Sequence, residues 1–101
     1  MAGVVFAETA RADLDNIFAW IADRAGPEVA IAYTGRIERF CSEMMPFPQR
    51  GTARNDLRQG LRTIGFERRV TIAFTIKDQK VIILRILYAG GSLDLAFDES
   101  S

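Results

Sequence analysis

Two apolar runs in the second half of the chain place the strongest constraint on its fold. In residues 70–76, large apolar side chains alternate with smaller or polar ones: Val70, Ile72, Phe74 and Ile76 against Thr71, Ala73 and Thr75. A period of two is typical of a strand with one buried face. Residues 81–87 are apolar at nearly every position, as expected of a central strand. The polar residues 77–80 predict a hairpin between them, so this half is predicted to form an antiparallel sheet.

In the first half of the chain, apolar residues recur at spacings of three and four, as they do in amphipathic helices. Two apolar stripes are predicted, one formed by Ala10, Leu14, Ile17, Phe18, Ile21 and Ala25, and one by Val29, Tyr33, Ile37, Phe40, Cys41 and Met44. Thr9 is the predicted N-cap, Gly26 can end the first helix, and Pro27 can begin a second that reaches about residue 45. Residues 4–7 predict a short first strand. The sequence therefore predicts an α+β domain with an N-terminal strand, an α-helical hairpin and a three- to four-stranded antiparallel sheet.

The length and composition narrow the class of protein. With 101 residues, the chain fits one domain spanning 1–101, with a short strand from about residue 92 and a frayed end. No apolar run reaches the roughly 20 residues of a membrane span, and the N-terminus lacks a signal-peptide pattern, so we expect a cytoplasmic protein. The chain has no histidine and a single cysteine, which excludes a histidine-based triad and predicts no metal or other cofactor.

The connection between the helices and the sheet is rich in arginine. Residues 50–69 contain six arginines and two acids, although the whole chain has no net charge. Residues 53–59 predict a single helical turn ended by Gly60. A guanidinium group suits carboxylates, phosphates and bases, so Arg54, Arg58, Arg62 and Arg69 are candidate contacts for a partner. The alternative is a solvated arginine-rich loop.

Three further residues interrupt the patterns around them. Arg85 lies in the most apolar run, so it must pair with an acid from the helices or the tail, or face a binding site. Trp20 lies about 115° from the centre of its helix's apolar stripe, so it either covers a loop or anchors a partner. Tyr88 ends the last apolar run, where it either covers the sheet edge or contacts a partner.

Several short pieces in this order resemble one known family. They are Ala12-Asp13-Leu14 with Ile17, Ala32-Tyr33 with Ile37, Pro48 with Gly51, Asp56-Leu57, Gly60-Leu61-Arg62, and residues 81–87. Across about residues 4–90 this set resembles the RelE/ParE toxin superfamily, and within it the ParE branch. The resemblance implies the toxin of a type II toxin–antitoxin module. Its implied partners are a ParD-like antitoxin, with a ribbon-helix-helix fold and a C-terminal toxin-binding segment, and DNA gyrase as the target. Contact with DNA would be indirect, through the antitoxin.

The resemblance leaves other functions open. RelE-like members cleave mRNA on the ribosome, and for that reaction Arg62, Arg69 and Tyr88 are the candidate catalytic residues. The sequence departs from the RNase pattern because no Lys, Arg, His or Tyr follows Tyr88. A gyrase-binding toxin without catalytic residues is therefore the main expectation, and a non-toxic antitoxin-binding protein is a third. In the main expectation, antitoxin acids face the arginines, and Arg85, Tyr88 and Trp20 complete the contact surface.

Overall fold

The computed structural model describes residues 3–43 and 50–88, in two helices and five strands. The elements are β1 (Gly3–Phe6), α1 (Glu8–Ala25), α2 (Pro27–Glu43), β2 (Thr52–Ala53), β3 (Arg62–Phe66), β4 (Val70–Lys77) and β5 (Lys80–Tyr88). The helical hairpin predicted at Gly26 and Pro27 is confirmed. Gly26 has a φ of 96° and donates its N–H to the Ala22 carbonyl, which closes α1. The predicted strand after residue 92 lies outside the described residues, as does the predicted extension of α2 beyond Glu43.

The five strands form one sheet in the order β1-β5-β4-β3-β2. The predicted α+β architecture is confirmed. The antiparallel pair β4–β5 forms the hairpin predicted at residues 77–80, and β3 pairs antiparallel with the other side of β4. The sheet is mixed, because β1 pairs in parallel with β5, in the register Val4 opposite Val81. Parallel neighbours need a long crossover, which the helical hairpin and the three other strands supply here. The short β2 was not predicted and adds the fifth strand at the far edge.

The core lies between the helices and one face of the sheet. Its main members are Ala10, Leu14, Ile17 and Ile21 from α1, Ala30, Ile37 and Cys41 from α2, and Val70, Ile72, Phe74, Val81, Ile83 and Ile86 from the strands. Burial raises the pKa of the Cys41 thiol to about 12, so this side chain is a core residue and not a nucleophile. Among the described residues, no helix combines the length and apolarity needed to cross a membrane.

The apolar stripe predicted for α2 is rotated by about one residue. Ala30 is fully buried, whereas Val29 is 50% exposed. Thr34 joins the buried face because its hydroxyl donates to the Ala30 carbonyl at 2.9 Å, which satisfies it inside the helix. A small residue followed by a self-satisfied threonine lets α2 pack closely, and this is not visible in a hydropathy pattern.

The predicted N-cap of α1 is wrong. The helix begins at Glu8, its N-cap residue is Ala7, and no side chain caps it. The Thr9 hydroxyl instead donates to the Leu84 carbonyl at 2.7 Å. This bond ties the first turn of α1 to β5, which explains why the hydroxyl is not used for capping.

The turn between β4 and β5 holds two residues in the left-handed region, and this allows a stability prediction. Asp78 and Gln79 have φ values of 53° and 63°, and Lys77 pairs with Lys80 across them. Both φ values are positive, as a two-residue type I′ turn requires, and glycine is favoured there. We expect Gln79→Gly to raise the free energy of unfolding by about 1 kcal/mol in urea titrations. Lys80→Gly, one residue later in the strand, should lower it and serves as the control.

Candidate interaction surface

Residues 54–61, which connect β2 to β3, form a closed hydrogen-bonded loop that we call the arginine loop. The Arg54 N–H donates to the Leu61 carbonyl at 2.7 Å, and the N–H groups of Leu57 and Arg58 return to the Arg54 carbonyl at 3.1 and 3.3 Å. The Leu61 N–H donates to the Arg58 carbonyl at 3.0 Å. The bonds that return to the Arg54 carbonyl span three and four residues, as in the predicted single helical turn, and no helix continues beyond it within the described residues.

Side chains fasten the arginine loop to itself and to the sheet. Asn55 Oδ1 accepts the Gly60 N–H at 2.8 Å, and the Thr75 hydroxyl of β4 donates to the Gly60 carbonyl at 3.1 Å. Gly60 has a φ of 81°, which suits glycine at this turn. The loop therefore has a fixed backbone from which its side chains project.

Two arginines of this region have partners within the protein. Arg54 makes a bidentate contact with Asp56, at 3.1 and 3.0 Å, and this hydrogen bonding lowers the pKa of the Asp56 carboxyl. Arg62 donates from Nε to the Arg50 carbonyl at 3.1 Å and from Nη2 to the Gly51 carbonyl at 3.2 Å. Both guanidinium groups thus fix the path of the chain around β2.

Arg58 is different. It is exposed on the arginine loop, and its guanidinium makes no hydrogen bond or ion pair with another residue in the described ranges. A guanidinium on a fixed backbone loses little backbone entropy when it binds, and it can take a carboxylate or a phosphate in bidentate geometry. Arg58 is therefore the arginine of this loop that is best placed to meet a partner.

Arg85 is held by an acid of α1. Its Nε and Nη2 atoms donate to the two carboxylate oxygens of Asp13 at 2.8 and 3.0 Å, and Asp13 Oδ2 also accepts the Ile86 N–H at 2.8 Å. The side chains of Arg85 and Asp13 are 29% and 12% exposed. The hydrogen bond to Asp13 raises the pKa of Arg85 above its ordinary value, against the opposing effect of burial. The predicted ion pair with a helical acid is present.

Aromatic side chains gather at the end of β5. The rings of Trp20 and Tyr88 meet edge to face with centroids 5.3 Å apart, and the Tyr88 and Tyr33 centroids lie 5.9 Å apart. Trp20 remains 45% exposed and carries the Arg24 guanidinium over its ring at 3.9 Å. We call Trp20 and Tyr88 the aromatic ridge. Among the described residues, Trp20 packs on a strand end, and its two predicted roles, covering a loop or anchoring a partner, both stay predictions.

The aromatic ridge separates two concave surfaces. A groove of about 420 Å³ lies between α1 and β5, and its lining includes Asp13, Asn16, Ile17 and Ile86 besides the ridge itself. A hollow of about 330 Å³ lies on the side of α2 and is lined by Tyr33, Arg69 and both ridge residues, among others. The ridge therefore stands between two sites of a size that could receive side chains of a partner.

The candidate catalytic residues of the RNase alternative are not brought together. Arg62 pairs with Phe74 on β4, whereas Tyr88 is opposite Val70. Four residues along a strand correspond to about 13 Å, so Arg62 lies far from Tyr88. Arg69 directly precedes Val70 and lines the hollow with Tyr88. Within the described residues, no three His, Cys, Asp or Glu side chains are grouped so that they could hold a metal ion.

The sequence did not identify which acids pair with the arginines of this surface. Asp13 pairs with Arg85, and Glu67 accepts two hydrogen bonds from Arg36 at 2.9 and 3.1 Å, which lower the pKa of the Glu67 carboxyl. The spacing of Thr9 and Asp13 could have indicated that both side chains contact the same strand, because residues four apart share one face of a helix. Both do contact β5. Glu67 carried no such signal, since its partner is 31 residues away.

Comparison with known proteins gives consistent matches along the chain. Residues 4–91 match the model of a family described as ParE toxin of type II toxin-antitoxin system, parDE. Toxin ParE3 of Caulobacter vibrioides is 34% identical over 96 residues, covering 95% of this chain and 93% of that protein. A chain of the chromosomal ParDE TA system from P. aeruginosa is similar with a TM-score of 0.78 and 27% identity, covering 89% of this chain and 98% of that one. HP0894 from Helicobacter pylori shares the fold, with a TM-score of 0.52 and 14% identity over 87% of this chain and 94% of its own.

Proposed function

Because this chain belongs to the family of ParE toxins of type II toxin–antitoxin systems, we propose that a cognate ParD-like antitoxin neutralises it and that its target is DNA gyrase. The similarity to a chain of a ParDE system supports the antitoxin as partner. We propose a ribbon-helix-helix antitoxin whose C-terminal segment binds the toxin, so that DNA is contacted only through the antitoxin. We also propose that the protein acts in the cytoplasm, where its proposed target would be found.

The observation that carries the gyrase proposal is the arginine loop. It presents Arg58 on a backbone fixed by hydrogen bonds, whereas Arg62 is bound to backbone carbonyls and lies about 13 Å along the sheet from Tyr88. A preorganised cation favours binding of a target. Cleavage of RNA would need a general acid and a general base close to it, and the candidate residues do not provide that arrangement. We therefore propose that Arg58 contacts an acidic surface of gyrase.

The remaining candidate residues form two groups, those engaged within the protein and those that we assign to partner binding. Arg54, Arg62 and Arg85 are engaged within the protein, and any contact that they make with a partner would add to that role. Trp20, Arg69 and Tyr88 lie together at the opposite end of the sheet. We propose that this second end contributes to antitoxin binding, in addition to attraction between antitoxin acids and the arginine loop.

The target is tested by measuring which synthesis stops first after the toxin is induced in cells without antitoxin. We expect thymidine incorporation to fall before methionine incorporation, and purified gyrase to lose supercoiling activity when the toxin is added. Early loss of protein synthesis with cut mRNA on ribosomes would contradict the gyrase proposal and favour the RNase alternative. Continued growth with both syntheses intact would identify a non-toxic antitoxin-binding protein.

A further inference from the structure

The hollow on the α2 side of the aromatic ridge, which we call the aromatic hollow, has walls that suit an apolar side chain. Rings of Trp20, Tyr33 and Tyr88 line it, together with the aliphatic side chain of Val29. Trp20 and Val29 are 45% and 50% exposed, and both belong to the few large apolar side chains that the described chain leaves exposed. Exposed apolar side chains that gather around a concavity are a feature of protein interaction sites.

The charges around the aromatic hollow are unequal. Glu67 is bound by two hydrogen bonds from Arg36, so its charge is compensated. Arg24 comes within 3.9 Å of Asp23, whereas Arg69 makes no hydrogen bond or ion pair with another residue in the ranges 3–43 and 50–88. Arg24, Arg69 and Glu67 line the hollow, and Asp23 and Arg36 are the ion-pair partners of Arg24 and Glu67. Among these described residues one positive charge is in excess, and Arg69 is the group that carries it.

A buried hydroxyl lies beside this charge. The Tyr33 Oη atom is buried and has no hydrogen-bond partner among the described residues. Burial, with smaller effects from Tyr88 and Glu67, raises the pKa of Tyr33 against the opposing effects of Arg36 and Arg69, so the hydroxyl keeps its proton and remains a donor. A buried donor without an acceptor is unfavourable, and a ligand that supplied an acceptor would remove that penalty.

We infer that the aromatic hollow receives an apolar side chain and a neighbouring carboxylate from the toxin-binding segment of the antitoxin. The apolar side chain lies against the three rings, and the carboxylate pairs with Arg69. A small shift of the Tyr33 ring on binding brings its buried hydroxyl to the same carboxylate, which accepts the hydrogen bond. The identity of the partner rests on the proposed function, whereas the chemistry of the site rests on the residues themselves. The antitoxin would thus be anchored at the end of the sheet opposite the arginine loop.

Trp20 gives a direct readout, because it is the single tryptophan of the chain. The first probe is the protein encoded beside the toxin gene, and the second is the capped peptide acetyl-Leu-Glu-Leu-amide with its Gln analogue. We expect both the neighbouring protein and the Glu peptide to change Trp20 fluorescence, and the Glu peptide to bind more tightly than the Gln analogue. Arg69→Glu should weaken binding of the neighbouring protein about tenfold or more, because it places two carboxylates opposite each other.

Arg68→Glu is the matched control, since Arg68 is an exposed arginine of the same turn but does not line the aromatic hollow. It should change binding less than about twofold if the effect belongs to the hollow and not to overall charge. Tyr33→Phe tests the hydroxyl separately, and it should weaken binding while leaving the melting temperature of the free toxin unchanged or higher. Equal losses in Arg68→Glu and Arg69→Glu would overturn the inference.

The two proposals fail in different ways. If the neighbouring protein binds the wild type and Arg69→Glu equally well, the inference about the hollow is wrong and the antitoxin assignment stands. If the neighbouring protein does not bind the wild type, the antitoxin assignment to that gene fails. In that case the peptides still decide the chemistry of the hollow, because equal binding of the Glu and Gln peptides would exclude a carboxylate site.

Discussion

Replacing Asp13 by alanine is expected to lower the free energy of unfolding by about 3 kcal/mol. The carboxylate binds the Arg85 guanidinium through two hydrogen bonds and also accepts the Ile86 N–H. Its loss leaves a cation 29% exposed without its partner and a backbone donor of β5 without its acceptor. β1 ends opposite Ile83, so among the described residues no strand pairs with this edge of β5 at Ile86, and the Asp13 carboxylate accepts the N–H that a neighbouring strand would otherwise accept.

Urea titrations of Asp13→Ala, Arg85→Ala and the double variant measure this effect and separate its parts. We expect the double variant to be less destabilised than the sum of the single variants, because each single change leaves the other charge unpaired. Asp13→Asn should recover part of the loss, since its amide oxygen can still accept the Ile86 N–H. Asp23→Ala is the control. Its carboxylate reaches Arg24 only at 3.9 Å on the surface, so its effect should stay below about 0.5 kcal/mol. Additive losses would show that the two side chains act independently.

The arginines show how far sequence reasoning could reach in this chain. Six of them between residues 50 and 69 have similar polar surroundings in the sequence, and charge alone groups them. In the structure, Arg62 holds the carbonyls of residues 50 and 51, Arg54 holds its near neighbour Asp56, and Arg58 has no described partner. These differences come from the path of the backbone, which brings carbonyl oxygens to some guanidinium groups and not to others. No local pattern contains that information.

The fold was more predictable than the site, because it depends on periodicity. The alternation in residues 70–76 and the Gly26-Pro27 junction predicted β4 and the helical hairpin correctly. The parallel pairing of β1 with β5 depends on a contact between residues about 77 positions apart, which no short-range pattern encodes. The stripe of α2 was displaced because Thr34 satisfies its own hydroxyl inside the helix, so a polar residue took a core position.

The candidate contact residues lie at two opposite ends of the sheet. Arg58 projects from the loop that leads into β3, and the aromatic ridge lies where β5 ends and where β4 begins beside it. Because β3 and β4 run in opposite directions, these features lie at opposite ends of the strands. An antitoxin anchored in the aromatic hollow would need to extend along the molecule to cover Arg58 as well.

Arg58→Glu is expected to abolish growth arrest while leaving the fold intact. Reversing the charge at the proposed gyrase contact should reduce binding by at least about 2 kcal/mol, or roughly 30-fold in affinity. Because Arg58 is exposed and its side chain makes no hydrogen bond or ion pair with another described residue, its substitution should change the free energy of unfolding by less than about 0.5 kcal/mol. Growth after tightly controlled induction, inhibition of purified gyrase, and thermal unfolding would be measured on the same variants.

Arg39→Glu provides the matched control for this experiment. Arg39 is an exposed arginine of α2 away from the arginine loop, and it likewise has no hydrogen-bond or ion-pair partner among the described residues. It changes the net charge of the toxin by the same amount, so it should keep growth arrest if the position of the charge matters. Loss of toxicity in both variants would point to long-range attraction between toxin and target. Full toxicity of a folded Arg58→Glu variant would remove Arg58 from the target site and leave the exposed aromatic ridge as the surface to test next.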